Sequence, residues 1–487
     1  MTPMGIQCWR LCIGSVLRKV GLSVPVLPGP GFIKDAGQRL VFDVTPALRH
    51  PIGRGLILRG LGKMEARSAA VLRSLLADPR LSLVPGSRFA TVKGVLGALR
   101  RTWAPLRILK AQWDPEQARA GVWAKIEGLL AAGETGGDDS PGARLAAIER
   151  MLVGGFAELF LTAMPVVAAG LMGWRMSQIL LGERASAAEL EATMRALPHN
   201  PTTEMDLELW GLSQRVAGDA EARAILRSET PAALARRFHA GTLPAMLERE
   251  VRGFLGRWGA RGVAEIDVGV ARWGEDPTHV FGMLTNYLAH DDPSLAADRQ
   301  FERGRVAAEA MMTTLIGRVG PLRRPLLRLA FGRMRALAGM REAPKLGIVR
   351  VLARCRGHLQ AIAAELVAAG RLAQVEDIFM VDLPAVHAGV AGADLRVQVA
   401  ARRVVFAREL SRRHSPRVLL SDGTDAEALL VAAQPEGGLS GTPASAGRVT
   451  GVARVILDPE GAQIGPGEIL VAPSTDPGWT PLFLTAG

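Results

Sequence analysis

Cysteine is scarce: the 487 residues contain three, Cys8, Cys12 and Cys355. Three thiols exclude a disulfide framework, and the C-x3-C spacing of Cys8 and Cys12 has no second Cys/His pair nearby to complete a zinc site. They are expected as buried structural thiols in a reducing compartment. The N-terminus also lacks the ordered basic start, apolar core and small-residue cleavage site of a secretory signal, so the chain is expected in the cytoplasm.

Long apolar runs are few. One, residues 154–174, is about as long as a bilayer span, yet it carries Glu158 and a central Pro165. A buried helix of a large soluble bundle accommodates both without a functional reason, so no membrane is expected among the partners. Acids are missing from residues 318–356, where eleven basic side chains meet the single acid Glu342 and supply most of the net charge of +12. Such a field attracts anions. Phe331 is the only aromatic residue there, so the stacking that nucleic acid requires is absent, and small phosphorylated ligands are favoured over nucleic acid. The plainer role for any one of these side chains is a solvated helix face or a pair with an acid elsewhere.

What is present is mostly helix. At 48% hydrophobic residues the chain can build a large core. Leu40 to Phe42 alternates with polar neighbours as a strand or hairpin, and Thr45-Pro46 follows as a helix N-cap with Pro at N1. Apolar residues then recur at three- and four-residue spacing over 53–130, and again through "LAAIERMLVGGFAELF", "EARAILRSETPAALARRF" and "AADRQFERGRVAAEAMMTTLIGRV". Residues 131–144 are a Gly/Asp/Ser/Pro loop. "ALPHNPTTEMDLELWGLS" breaks at Pro198 and Pro201, with Thr202 or Thr203 as cap of the next helix. Residues 258–277, "WGARGVAEIDVGVARWGEDP", are non-helical and gather Glu265, Asp267, Glu275 and Asp276. These acids are candidates for metal ligands or acid/base groups; with no histidine before His279, salt bridges to Arg257, Arg261 and Arg272 are the stronger expectation. After residue 410 the composition turns to short strands, at 418–420, 449–457 and 468–472, separated by Gly and Pro.

"GTPASAGRVTGVARVILDP", "GEILVAPSTDPGWTPLF" and "REAPKLGIVRV…GRLAQVEDIF" resemble the phosphoenolpyruvate-utilising dikinases, in the branch of phosphoenolpyruvate synthase-like proteins and rifampicin phosphotransferases. "NPTTEMDLELW", "AEIDVGVARWGEDP" and "FIKDAGQRLVFDVTPALRHPIGR" resemble the same branch's middle region. The resemblance implies an α+β protein: a large, mainly helical acceptor-binding domain over 1–410, a linker over 411–436, and over 437–487 the opening part of a β-rich α/β swivelling domain. In that family an ATP-grasp domain charges a histidine on the swivelling domain, which carries the phosphoryl group to an acceptor. ATP and Mg2+ are implied for the full-length family and no cofactor or metal for this chain.

"TPMG" at 2–5 resembles the junction after the ATP-grasp domain, and the sequence stops where relatives continue to a Gly-rich Ser-His turn. The chain is therefore expected to be a fragment, inactive alone, with exposed apolar strand edges at 469–472. None of its eight histidines (His50, His199, His239, His279, His290, His358, His387, His414) has the Gly-Ser-His setting. The alternative is a stand-alone binder of a hydrophobic ligand, or a subunit acting in trans with a separate ATP-grasp/histidine polypeptide. By resemblance, Arg341 and Lys345 of "REAPK" approach the phosphohistidine and the acceptor, a pyruvate or a hydroxyl-bearing small molecule such as a rifamycin; a helix-end salt bridge is the other role open to them. Pro344 implies a bend or a helix start beside them. Met311-Met312 and the stretch from Met334 to Met340 are candidates for adaptable pocket walls, or core. Ala260 departs from the His or bulky residue of many relatives, which bears on the acceptor site.

Overall fold

The computed structural model describes residues 1–84, 88–288, 296–412, 415–428 and 449–457, and beyond these residues 462, 464, 465, 467–473, 475, 479, 482, 483 and 486. Helix α1 (Pro3–Lys19) leads into a hairpin of β1 (Ile33–Asp35) and β2 (Leu40–Phe42), antiparallel with Ile33 opposite Phe42. Then follow α2 (Thr45–Leu48), α3 (Pro51–Met64), α4 (Ala66–Ser74), α5 (Arg88–Thr102), α6 (Ala104–Trp113), α7 (Pro115–Ala131) and α8 (Pro141–Glu149). A π-helical turn, Arg150–Gly155, feeds the long α9 (Phe156–Leu181).

The middle continues through α10 (Ala187–Ala192), α11 (Pro201–Ala217), α12 (Ala220–Ser228), α13 (Pro231–Ala240) and α14 (Ala245–Trp258). After the 259–277 loop come α15 (Thr278–Leu288), α16 (Ala297–Gly317), α17 (Arg324–Leu337), α18 (Ala343–Ala368), α19 (Leu383–Val390) and α20 (Arg396–Leu410). The mainly helical α+β class is as expected. The short strands β3 (Ala453–Val455) and β4 (Ile469–Val471) pair in parallel, within narrower bounds than the sequence suggests.

Local chemistry corrects two caps. Asn200, not Thr202 or Thr203, caps α11: its Oδ1 accepts from the backbone N–H of Thr202 at 3.0 Å and of Thr203 at 3.4 Å, with Pro201 at N1. A residue before Pro is held extended, which is the backbone an N-cap needs. Thr45 is already helical in α2, and the Asp43 carboxylate accepts from its N–H at 3.1 Å instead. The expected strand at 418–420 is reduced to a single bridge, Leu419 to Asp425, around the turn at Gly423. Of the linker expected over 411–436, residues 413–414 and 429–436 lie outside the described residues, as do the expected domain start at 437, His290 and His414.

Three apolar clusters organise the helices. The first joins α1, α7, α8, α9, α18 and α19, and takes in the thiols of Cys8, Cys12 and Cys355. Burial raises all three thiol pKa values, that of Cys8 to about 12, so they behave as small apolar groups. The second cluster holds α11 to α15, and the third packs the end of α9 with α16 and α17. Met334 is buried in the third and Met340 in the first, which makes them core.

One helical run, Pro141–Arg184, is long and apolar enough to cross a membrane, and half of its apolar window is buried inside the fold. Within it, Gly170 and Gly173 let α17 approach backbone to backbone: a Cβ at Gly170 would lie 2.7 Å from the Ala338 nitrogen, and one at Gly173 2.7 Å from the Ala330 oxygen. Tight helix–helix packing thus accounts for the glycine spacing in this apolar run.

Candidate functional site

The 259–277 loop is built from charge turned inward. Arg261 is 1% exposed and its Nε lies 3.0 Å from the Glu265 carboxylate, itself 4% exposed at the side chain. The other oxygen of Glu265 meets Lys345 Nζ at 3.2 Å, on the first turn of α18. Arg272 donates to the Glu265 carbonyl at 2.7 Å and the Asp267 carbonyl at 3.1 Å, and burial, then the neighbouring Arg356, lowers its pKa to about 10. Arg356 reaches back from α18 to the Val268 carbonyl at 3.1 Å and the Glu275 carboxylate at 2.7 Å, with its guanidinium over the Phe379 ring. Burial raises the Glu275 pKa, but the hydrogen bonds from Arg356 and Gln360 outweigh it and leave it below the ordinary value.

Asp267 holds the start of the chain: Thr2 donates to it from backbone N–H and hydroxyl, each at 2.6 Å. Asp276 accepts from the Thr278 N–H at 3.1 Å beside the start of α15. The four acids flagged in the sequence are thus bound to cations, hydroxyls and backbone. The expected pairs hold for Arg261 alone; Arg257 pairs with Glu208 of α11, and Arg272 serves carbonyls. Among the described residues no group of three or more His, Cys, Asp or Glu could hold a metal ion.

Beside this loop, at the seam of the first two clusters, is a cavity of about 760 Å³. Successive turns of α18 line it with Leu346, Arg350, Arg354, Gly357 and His358. Across from them stand Trp123, Glu127 and Leu130 of α7, Arg144 of α8, and Arg257 and Trp258 of α14, with Ala260 at the start of the loop. Lys345 and Arg356 lie about 20° apart around α18 on the face turned to the loop, and the cavity-lining positions occupy the adjacent face. One helix therefore fixes the loop cations and the cavity wall together.

The wall is apolar and cationic. Arg350 forks onto Glu127 at 2.5 and 3.2 Å, and Arg144 pairs with Asp139 at 3.1 Å. Arg354 has no hydrogen-bonding or ion-pairing partner among the described residues. His358 Nε2 contacts the Gly133 carbonyl at 2.8 Å; burial, with Arg144 and Arg354 nearby, keeps its pKa below the ordinary value and the ring neutral at pH 7.

Arg341 sits on the 3-10 turn Ala338–Glu342, is exposed, and pairs with Glu342 at 3.3 Å. No hydrogen bond or ion pair joins it to Lys345. Pro344 lies in the first turn of α18, so it marks a helix start. Ala260, singled out as a departure near the acceptor site, does line the cavity, and neither Met311-Met312 nor Met334 and Met340 do. Trp123 and Arg144 carried no sequence signal, since their approach depends on how α7, α8 and α18 pack.

Comparison with known proteins matches residues 162–342 to the family model for the fourth domain of rifampicin phosphotransferase. The chain is 26% identical to the rifampicin phosphotransferase of Bacillus subtilis and 29% identical to that of Streptomyces sviceus, in each case over 96% of this chain and 54% of the relative. A third rifampicin phosphotransferase, from a Streptomyces species, is 34% identical over 62% of this chain and 35% of its own. These matches support a likeness to the phosphoenolpyruvate-utilising dikinases. Within them the chain is similar to the rifampicin phosphotransferase-like branch, and it spans about half the length of the first relatives it matches.

Proposed function

We propose that this chain forms the acceptor-holding part of a dikinase-type phosphotransferase, with the acceptor in the cavity between α7, α14 and α18. The observation that carries this reading is the sharing of one rigid helix: α18 lines the cavity over three turns and presents Lys345, locked by Glu265, at its start. Phosphoryl transfer depends mainly on neutralising and positioning the migrating group, so a fixed ammonium beside a bound acceptor suits it. The donor in this reading is a phosphohistidine on a swivelling segment or on a separate polypeptide. Its P–N bond breaks with the electron pair returning to the imidazole, a P–O bond forms to the acceptor hydroxyl, and the hydroxyl proton passes to that imidazole. Arg341 and Lys345 neutralise the phosphoryl oxygens. ATP and Mg2+ belong to the charging of the histidine, and no step through a metal is assigned to these residues.

A cavity of this volume, walled by Trp123, Trp258, Leu130 and Leu346, fits a bulky, mostly apolar acceptor better than pyruvate. Thermal shift and calorimetry with rifampicin, pyruvate and phosphoenolpyruvate test this. The bulky acceptor is expected to stabilise the protein, and Ala260→Trp, which fills the cavity, is expected to weaken its binding about tenfold or more. Unchanged affinity in Ala260→Trp would place the acceptor elsewhere. With labelled ATP, the 487-residue chain is expected to take up no phosphate by itself, and autophosphorylation would overturn the acceptor-only reading.

A further inference from the structure

The α5–α6 pair and α17, joined through Arg333 and Trp113, present an outer surface on which exposed apolar groups stand beside positive charges, most of them without an ion-pair partner among the described residues. Residues 93–113 contain Lys93, Arg100, Arg101, Arg107 and Lys110 and no acid. Among them Leu96, Trp103, Leu106, Leu109 and Trp113 are exposed, Trp103 at 58% and Trp113 at 88%. Singly exposed apolar residues are ordinary, but a run of them on adjoining helices marks a contact surface.

Packing decides which side faces out. Helix α6 is tied to α9 by Arg107, which donates to the Leu161 carbonyl at 2.7 Å, and by Gln112, which donates to the Ala169 carbonyl at 2.7 Å. Its leucines and Trp113 are left outward. Trp103, in the left-handed region at φ 53°, forms the corner between α5 and α6. Arg333 of α17 donates to the Trp113 carbonyl at 3.4 Å, so the surface continues there. Leu326 and Leu329 lie on the same side of α17 as Arg333, at helical spacing, and both are exposed; Leu322, just before the helix, is 90% exposed. Arg323 and Arg328 add charge and, like Lys93, Arg100, Arg101 and Lys110, form no ion pair among the described residues.

We propose that this surface docks on an anionic lipid bilayer, with the leucines and the two tryptophans in the headgroup region and the cations against lipid phosphates. Charge complementarity carries the choice: the surface pairs cations of one sign with Trp and Leu, the composition of helices that lie in a membrane interface. A bilayer also accommodates the outward faces of side-by-side helices without a matching contour. The sequence sets aside insertion of residues 154–174; docking on a surface requires no insertion of α9.

The test is co-sedimentation of the 487-residue protein with phosphatidylcholine vesicles, with and without phosphatidylglycerol. Binding is expected only with the anionic lipid, is expected to fall as salt is raised, and should shift tryptophan emission to the blue. Leu109→Asp combined with Trp113→Ser, both at exposed positions, is expected to lower vesicle affinity about tenfold or more without moving the melting temperature. Equal binding to neutral and anionic vesicles, or affinity unchanged in the double variant, would overturn the proposal. So would failure to bind vesicles, including the case where the surface is instead buried in a self-associated protein or against an acidic protein partner.

Discussion

Around the 259–277 loop the cations have been taken up by the fold: Arg261 and Lys345 of α18 share Glu265, Arg272 holds two carbonyls, and Arg356 of α18 spans Val268 and Glu275. On the α5–α6 and α17 surface the cations are as dense in sequence, yet Lys93, Arg100, Arg101, Lys110, Arg323 and Arg328 meet no acid among the described residues. The difference shows that a count of positive charge does not predict its use. What decides is whether the chain returns a carboxylate or a carbonyl to the same place. The 318–356 segment contains both kinds, since Arg318 pairs with Glu189 and Arg350 with Glu127 while Arg323 and Arg328 remain unengaged. Internal structure follows from the first arrangement, and the proposed membrane docking draws on the second.

The largest effect expected from this contrast lies at Glu265. Its carboxylate is the acid shared by Arg261 and Lys345, and Arg261 Nε and Nη1 have no hydrogen-bond partner among the described residues, so the ion pair is their compensation. Glu265→Gln leaves a buried guanidinium without its counter-charge, and loss of one partner from a buried pair typically costs about 3–5 kcal/mol. Urea unfolding of the variant should show a loss of that order, and a loss below about 1 kcal/mol would mean that solvent reaches the cluster and the loop is no different from the surface.

A half-buried acid with no ion-pair partner among the described residues sharpens the comparison. Asp206 of α11 accepts a short hydrogen bond from the Tyr287 hydroxyl of α15, and burial raises its pKa from the ordinary 3.8 to about 6, the tyrosine bond offsetting only part. Because the folded-state pKa is the higher one, the folded state holds its proton more tightly. The native state is therefore penalised progressively as pH rises from about 4 to about 6, and the penalty is complete above that. At 1.36 kcal/mol per unit it approaches about 3 kcal/mol as an upper bound. Asp206→Asn keeps an acceptor for Tyr287 and removes the titration. Denaturation midpoints of the two proteins should converge near pH 4 and diverge toward pH 7 in favour of the variant; parallel pH profiles would show that Asp206 is hydrated.

Much of the fold was legible because helix formation here is local. The three- and four-residue apolar spacing gave the helices, and the burial of the cysteines followed from their number and setting. The family was legible from extended motifs such as "REAPK" and "AEIDVGVARWGEDP" taken together. Competition between neighbours was harder to read. Asn200 displaced the threonines as cap because the following Pro201 fixes its backbone, and Thr45 is itself helical, its N–H held by the Asp43 carboxylate two residues earlier. Of the candidate site, Ala260 and the Arg350–Arg354 wall lay inside stretches already singled out. Trp123 and Arg144 did not, since their place depends on contacts between segments more than two hundred residues apart, which periodicity does not encode.

The smallest expected effect on stability comes from the other side of the comparison. Among the described residues Arg101 and Lys110 lie on the exposed surface with no ion pair, and the only hydrogen bond from Arg101 to another segment is a long one, 3.4 Å, to the Val20 carbonyl. Neutralising both, as Arg101→Gln with Lys110→Gln, should leave the unfolding free energy within about 0.5 kcal/mol of the parent, as for surface positions in general. Stability could even rise slightly, because repulsion among Lys93, Arg100, Arg101 and Lys110 is relieved. The same double variant should bind anionic vesicles more weakly, by about tenfold if each lost charge is worth its usual amount at such an interface, and its binding should depend less steeply on salt. A clear loss of stability with no change in vesicle binding would reverse the assignment and make these cations part of the fold, like those of the loop.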